Sequence, residues 1–137
     1  MNLFTLMPLL TDWSLLAIRL VIAAIFLAHG WPKLKDLKQN ANNFGMMGFR
    51  PGAFWGTVVA FTEVFGGLAV LFGVFTQFAA IPLAIDMVVA TLWKLKNGQK
   101  LINGYELDLM ILAACLILAT AGPGIYSVQS YFGWQLF

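Results

Sequence analysis

FWGTVVAFTEVFGGLAVLFG, residues 54–73, is an apolar segment of 20 residues whose only charged side chain, Glu63, lies at its centre. A helix of this length rises ~30 Å, which matches the hydrocarbon thickness of a bilayer. A carboxylate at that depth costs on the order of 2.5–3.5 kcal/mol on insertion scales, so Glu63 needs a polar partner inside the membrane. The segment therefore predicts a transmembrane helix that turns a polar centre towards other helices.

One face of this helix carries small residues around the glutamate. At helical spacing, Gly56, Ala60 and Gly67 share a face with Glu63. Small residues on such a face let the backbone of a second helix approach closely. Glu63 is then either a packing device that fixes the register of the helices or a working proton or ligand site, and the sequence leaves both interpretations open.

The composition of the whole chain indicates one integral membrane domain. Its 137 residues are 61% hydrophobic and 10% charged, whereas soluble chains carry about 25% charged residues. The single cysteine, Cys115, excludes an intrachain disulfide, a CxxC redox pair and a cysteine-based metal site. No basic patch with interleaved aromatic residues indicates binding to nucleic acid. The first residues lack the basic segment and cleavage site of a typical signal peptide.

Four segments have the length and apolarity of transmembrane helices. The predicted spans are residues 13–31, 54–73, 77–93 and 105–121. Gly30 and Pro32 are expected to end the first span, and Pro82 is expected to kink the third. The predicted fold class is all-α: one transmembrane domain, residues 1–137, that forms an integral membrane four-helix bundle with an additional interfacial amphipathic helix between the first and second transmembrane helices.

Three shorter segments are predicted to lie at the membrane surface. Residues 1–12 are apolar and broken by Pro8, and the aromatic tail, residues 125–137, is too short to cross. Residues 33–44 have apolar side chains at helical spacing among lysines, which is typical of an amphipathic helix in the headgroup plane. A solvated basic loop is the alternative for this segment. The side chains expected to face the acyl chains are Leu34, Leu37 and Phe44.

The basic residues predict the orientation of the chain. Seven of the eight lysines and arginines lie in two loops on one side of the membrane, and the segments on the other side have none. Positively charged loops stay in the cytoplasm, so both termini are expected outside it. The seven residues are Lys33, Lys35, Lys38, Arg50, Lys94, Lys96 and Lys100.

Three charged residues are predicted to lie within the membrane: Arg19, Glu63 and Asp86. Counted from the outer ends of their helices, they lie about 9, 15 and 14 Å deep. An arginine on a neighbouring helix can bridge such a difference, so we predict a buried Arg19–Glu63–Asp86 cluster as a ligand or proton site. One cation cannot neutralise two carboxylates, so one acid is expected to hold a proton. A static cluster that only orients the helices is the alternative.

A second polar cluster is expected at the cytoplasmic ends of the helices. It comprises His29, Lys33, Lys94, Glu106 and Asp108. The two acids lie in the first turn of the fourth span, where carboxylates suit the helix dipole, and Lys33 is expected to pair with Glu106. His29 could bind a metal or relay protons. Because only carboxylates are available to help it, we expect a hydrogen-bonded structural histidine and no metal site.

Five stretches, spread over most of the chain, together resemble one known family. They are RLVIAAIFLAHGWPKL at 19–34, MGFRPG at 47–52, EVFGGLAVLFGVFTQFAAIPLAIDMVVA at 63–90, NGYELDLMILA at 103–113 and GPGIYSV at 122–128. Their combination resembles the DoxX family of small bacterial four-helix membrane proteins, which are similar to the small subunits of thiosulfate:quinone oxidoreductases. The resemblance implies that Arg19, Glu63 and Glu106 are recurrent intramembrane polar positions. Gln129 departs from the pattern, because family members often carry Asp after the GPG turn.

The resemblance and the polar residues together favour a membrane subunit or accessory protein of a redox or oxidative-stress system, rather than an enzyme acting by itself. Its expected location is the inner (plasma) membrane of a bacterium. The sequence has no haem, flavin or iron–sulfur motif, and a quinone-like ligand at the Arg19–Glu63–Asp86 cluster is the candidate. A protein partner from a membrane redox complex is expected, with a homo-oligomer as an open alternative. Two other functions remain: a small proton-coupled transporter or permeability element, and a structural assembly factor or membrane anchor.

Overall fold

The computed structural model describes residues 2–134 and contains six α-helices within that range. Residues 1 and 135–137, the last three of which belong to the predicted tail anchor, lie outside the described part. The helices are α1 (Leu3–Lys35), α2 (Leu37–Met46), α3 (Gly52–Phe72), α4 (Thr76–Lys96), α5 (Glu106–Ala121) and α6 (Val128–Tyr131). A short turn, Leu101–Tyr105, in which Ile102 and Asn103 have non-helical backbone angles, leads into α5.

The predicted all-α membrane fold is confirmed. Between residues 2 and 134 the chain forms helices and turns and no strand. Four helices, α1, α3, α4 and α5 with its preceding turn, are long and apolar enough to cross a membrane. Most of the large apolar side chains on these helices point outwards, as expected of a bundle whose surroundings are lipid.

The first helix is longer than its sequence predicted. It starts at Leu3 and ends at Lys35, so it continues through both Pro8 and Pro32. Each proline removes one backbone hydrogen bond, but membrane helices tolerate prolines where neighbouring groups satisfy the backbone. The predictions that Pro8 breaks the N-terminal segment and that Gly30 and Pro32 end the first span are therefore wrong.

The small-residue face of α3 packs as predicted. Gly56, Ala60, Glu63 and Gly67 are all buried. α1 packs closely on this face, since a Cβ atom added at Gly67 would lie 3.2 Å from Cγ of Leu27. Close approach of the two backbones at small residues is the packing that membrane helices use where apolar burial from water is not available.

The four long helices form two pairs. α1 packs mainly against α3, and α4 packs mainly against α5, while fewer contacts join one pair to the other. We call the boundary between these pairs the seam. The buried apolar core fills the part of the bundle nearer the C-terminal tail, and its members are Leu15, Ile22, Ala23, Phe26, Val70, Ala80, Leu83, Ala84, Met87, Ile111, Cys115 and Leu118.

The predicted amphipathic helix is present with shifted bounds, as α2, and it docks on α3. Asp36 caps its start by accepting a hydrogen bond from the backbone N–H of Gln39. Asn40 is buried, and its Nδ2 donates to the backbone carbonyl of Gly56 at 2.7 Å. A Cβ atom at Gly56 would lie 3.4 Å from the Phe44 ring, so this ring faces α3 rather than the acyl chains.

The ends of the bundle differ in charge. We call the end that carries the seven basic residues of the two long connections, including α2, the basic end. The opposite end, which carries the α3–α4 turn and residues 122–134, is the tail end. There Asp12 of α1 accepts a hydrogen bond from the backbone N–H of Ile125 at 3.0 Å, and Gln129 donates its backbone N–H to the carbonyl of Gly73 at 3.0 Å.

Candidate functional site

The buried glutamate of α3 is paired with a lysine of α1. Lys33 Nζ lies 2.8 Å from Oε1 and 2.7 Å from Oε2 of Glu63. The Lys33 side chain is 28% exposed and that of Glu63 only 4%, so the lysine covers the carboxylate from the outside. The predicted ion pair between Lys33 and Glu106 is therefore wrong.

The continuation of α1 through Pro32 explains this pairing. Gly30 and Lys33 are three residues apart and lie on one face of α1. A Cβ atom at Gly30 would lie 2.6 Å from Cβ of Glu63, so the two helices touch at this level. The glycine brings the helices together, and the lysine one turn later reaches the carboxylate. The three-residue spacing of Gly30 and Lys33 is present in the sequence, but it indicates a shared helix face only if α1 continues past Pro32.

Asp86 of α4 lies beside Glu63 across the seam. Asp86 is close enough to Glu63, Lys33 and Asp108 for their charges to act on it. The buried Oδ2 of Asp86 receives no hydrogen bond from residues 2–134. Two carboxylates are both acceptors, so they can bond each other only when one of them holds a proton.

A second lysine–carboxylate pair lies on the other side of the seam. Lys94 Nζ is 3.0 Å from Oδ1 and 2.8 Å from Oδ2 of Asp108, and it also contacts the carbonyl of Gly104 at 3.4 Å. All four long helices thus supply charged groups to the basic half of the seam. We call the set Lys33, Glu63, Asp86, Lys94 and Asp108 the seam site.

The seam site contains more acids than bases. Three carboxyl groups face two lysines. Each lysine is engaged with one carboxylate, and a further carboxylate without a cation is costly inside a membrane. The arrangement can therefore hold a proton on the Glu63–Asp86 pair, in the way that paired acids share one proton elsewhere. Within the described residues, no three His, Cys, Asp or Glu side chains are grouped as a metal site.

Arg19 is not part of this site. The predicted Arg19–Glu63–Asp86 cluster is therefore wrong about the residue that supplies the positive charge. The Arg19 side chain is buried and bonds to backbone carbonyls at the tail end. Its four partners are the carbonyls of Val70 at 2.9 Å, Leu71 at 2.8 Å, Pro123 at 3.1 Å and Tyr126 at 2.6 Å. Val70 is seven residues after Glu63 on α3, which is ~10 Å along the axis.

The role of Arg19 in the structure follows from these bonds. Val70 and Leu71 are in the last turn of α3, where a cation is favourable, and the carbonyl of Val70 also accepts a hydrogen bond from the backbone N–H of Gly73 at 3.2 Å. The same guanidinium fastens the tail through Pro123 and Tyr126. A sequence pattern does not show where backbone carbonyls will lie in the fold. The sequence therefore predicted carboxylate partners for Arg19.

An open groove of about 370 Å³ lies next to Arg19 at the tail end. Its walls are mostly apolar and aromatic, and they come from α1, α3 and the tail. The remaining lining residues are Leu16, Leu71, Phe72, Tyr126, Ser127, Val128, Tyr131 and Phe132.

The two other predicted polar residues lie at the surface of the bundle. His29 is exposed, and its Nδ1 lies 2.8 Å from the carbonyl of Ile25 in the same helix. Glu106 is also exposed, and its Oε1 accepts a hydrogen bond from the backbone N–H of Asn103 at the start of α5. Both side chains therefore make local contacts and stay outside the seam site, whereas Asp108, one half-turn from Glu106, is buried in it.

Comparison with known proteins places this geometry in context. The DoxX family model matches residues 14–95. The chain is 31% identical to the "Uncharacterized membrane protein Rv3486" of Mycobacterium tuberculosis over 129 residues, which cover 85% of this chain and 79% of that protein. It is 31% identical to the "Inner membrane protein YqjF" of Escherichia coli over 125 residues, which cover 90% of this chain and 95% of that one.

The name of a third relative refers to a chemical activity. The chain is 27% identical to the "Putative oxidoreductase CatD" of Bacillus subtilis over 116 residues, which cover 85% of this chain and 84% of that protein. No solved structure gives a significant match.

Proposed function

Because the chain belongs to the DoxX family of membrane proteins, we propose that it is the membrane subunit or accessory protein of a redox system and that the seam site handles protons for that system. The name of the Bacillus subtilis relative supports the redox link. The observation that carries the proposal is Asp86, a carboxyl group beside the lysine-paired Glu63 with a buried oxygen that no hydrogen bond from the described residues reaches.

A proton site inside a membrane suits the chemistry of quinones. Reduction of a quinone to a quinol takes up two electrons and two protons. The sequence has no cofactor motif, so the electrons come from a partner protein. A carboxyl pair that holds one proton can donate it and later be protonated again. The neighbouring lysine stabilises the negative charge of the carboxylate that remains after the proton has left.

The groove beside Arg19 is the candidate place for a quinone-like ligand. It is apolar and aromatic with a polar edge, the usual character of a small-molecule site, and its volume of about 370 Å³ suits a single ring with part of its chain. The groove lies at the tail end and the seam site in the basic half, so ligand and proton donor are about two helical turns apart. The ligand is thus proposed against Arg19 alone, without the direct contact to Glu63 and Asp86 that a single cluster predicts.

The redox proposal is tested by purification of the full chain from its native membranes in mild detergent, followed by assay of the co-purified complex for quinone reduction. Glu63→Gln and Asp86→Asn should keep the complex assembled and lower its rate at least about tenfold, which corresponds to about 1.4 kcal/mol of barrier. Glu106→Gln, an exposed acid at the same end, is the matched control and should keep the rate. Loss of the redox partner from the preparation, or full activity in both seam variants, would contradict the proposal.

A structural assembly factor is the second candidate, because a specific observation favours it. Lys33, Lys94 and Arg19 are all engaged with fixed partners, as expected of groups that hold helices in register. Under this alternative, Glu63→Gln and Asp86→Asn assemble and work like the original chain. The activity comparison above therefore separates the two candidates.

A further inference from the structure

We infer that the basic end of the bundle is a binding surface for anionic phospholipids, and that its two long connections lie against the headgroups of the leaflet on that side. The inference goes beyond the proposed function, because it uses neither the seam site nor the groove beside Arg19. It names a further ligand of the chain: a lipid whose headgroup carries a net negative charge.

Five of the seven basic residues at this end have no acid as a partner. Lys33 and Lys94 are each engaged with a buried acid of the seam site. The other five are exposed, and among residues 2–134 none of them forms an ion pair. A group of free bases directly beside membrane-spanning helices is the feature that attracts anionic lipids. The five exposed bases are Lys35, Lys38, Arg50, Lys96 and Lys100.

The acids exposed at this end do not neutralise these bases. They are Asp36 and Glu106. Each accepts a hydrogen bond from a backbone N–H three residues away, so both carboxylates serve as local caps. Two exposed acids against five exposed bases leave an excess of positive charge on the surface. At the tail end the one basic side chain, Arg19, is buried, so the exposed excess lies on one side of the bundle.

Large apolar side chains are exposed beside these bases. Met46, at the end of α2, is 80% exposed and precedes Arg50, and Ile102 is 72% exposed and follows Lys100. At a bilayer surface such side chains enter the acyl region while a neighbouring lysine or arginine reaches the phosphates. The two kinds of side chain together favour a lipid surface, because it offers phosphates and acyl chains at neighbouring depths.

The first connection is fixed with a basic face outwards. Asn40 of α2 is buried and donates to the carbonyl of Gly56, so this side of α2 docks on α3. Lys38 is two residues earlier, which is about 200° around the helix, and therefore points away from α3. Trp93 of α4 donates its indole N–H to the carbonyl of Met47 at 2.9 Å, so the connection is fastened to both pairs of helices. Lipid binding here does not need the ordering of a loose loop.

The lipid preference is measured by electron paramagnetic resonance, because spin-labelled lipid in contact with a protein gives a separate, immobilised signal. The full chain is reconstituted in phosphatidylcholine bilayers with a trace of spin-labelled phosphatidylglycerol or spin-labelled phosphatidylcholine. We expect phosphatidylglycerol to associate at least about twofold more tightly at low salt. The preference should vanish at high salt, because salt screens exposed charges.

A variant that changes all five exposed bases to Gln should have no preference for phosphatidylglycerol. Glu106→Gln, which removes an exposed acid at the same end, is the control and should not lower the preference. Equal association of both lipids with the original chain, or a preference that survives in the five-base variant, would overturn the inference.

A second measurement places the connections relative to the leaflet while all the bases are present. Spin labels on Met46→Cys and Ile102→Cys should collide more often with oxygen, which is concentrated among acyl chains, than with a water-soluble nickel complex. A label on Gln99→Cys, in the exposed turn after α4, is the control and should favour the nickel complex. Cys115 is buried and stays in place. Labels at 46 and 102 that both favour the nickel complex would overturn the inference and assign the bases to an aqueous partner such as an acidic protein.

Discussion

Lys33 Nζ lies within 2.8 Å of both carboxylate oxygens of Glu63, so a lysine at the basic end of α1 neutralises the acid at the centre of α3. This pair leaves Asp86 as the carboxyl group without a cation of its own at the centre of the seam. The proposed function depends on this difference between two neighbouring acids: Glu63 is paired with a lysine and Asp86 is not.

Removal of the lysine should cost more stability than neutralisation of the acid. Lys33→Met leaves Glu63, whose side chain is 4% exposed, without a cation, and the loss of one partner from a buried pair costs about 3 kcal/mol or more. Glu63→Gln leaves Lys33, whose partly exposed ammonium group can move to the interface, so a smaller loss is expected. Thermal unfolding in detergent micelles measures both. The double variant should recover much of the loss, and additive losses would contradict a direct pair.

Arg19 should hold the tail on the bundle. Arg19→Lys keeps the charge but cannot donate to four carbonyls at once, and each buried carbonyl left without a partner costs about 1–3 kcal/mol. We expect faster protease cleavage after Tyr126 and a larger loss of stability for Arg19→Ala than for Glu63→Gln. Arg50→Lys, an exposed arginine, is the control. An uncleaved tail in Arg19→Lys would contradict the fastening role.

Gly73 should resist substitution for two separate reasons. Its φ of +68° disfavours any other residue, and an added Cβ atom would collide with Cβ of Ser127 and lie 2.7 Å from Nη2 of Arg19. Gly98 is a matched control, because its φ is +75° and nothing lies within 4 Å of such a Cβ atom. Gly98→Ala should cost about 1 kcal/mol, from backbone conformation alone. Gly73→Ala should cost clearly more, and equal losses would show that the contact with Arg19 is loose.

The seven basic residues of the two long connections predict the orientation of the chain. We predict that both termini lie outside the cytoplasm of a bacterial cell. In intact cells, an impermeant thiol reagent should label Ser130→Cys and should not label Gln99→Cys. The reverse pattern would place the basic end outside the cytoplasm and contradict the prediction.

Much of the fold can be predicted from sequence because it depends on patterns within single helices. The face formed by Gly56, Ala60, Glu63 and Gly67 follows from their spacing, and the structure buries all four residues. Helix ends are harder to predict. Pro32 normally indicates a helix end in a soluble protein, but here α1 continues past it to Lys35, and this continuation brings Lys33 to Glu63.

The site could be predicted only in part, because its partners come from different helices. The depths of Glu63 and Asp86 predicted that the two acids lie near each other, and in the structure the charge of Glu63 acts on Asp86. The depth of Arg19 was equally compatible with a carboxylate and with the carbonyls at the end of α3. A sequence shows which side chains are present but not where backbone acceptors lie, so the acids were predicted as the partners of Arg19. Composition and spacing also cannot show that the tail folds back to receive the same guanidinium.

The central claim is that Glu63 and Asp86 together hold one proton at neutral pH. The most direct test is solid-state NMR of the full chain in bilayers with ¹³C-labelled aspartate and glutamate side chains, of which the chain has four and two. We predict one carboxyl signal of the protonated type in the original chain and its loss in Asp86→Asn, where Glu63 remains a carboxylate paired with Lys33. A spectrum in which all six carboxyl groups are ionised would contradict the account.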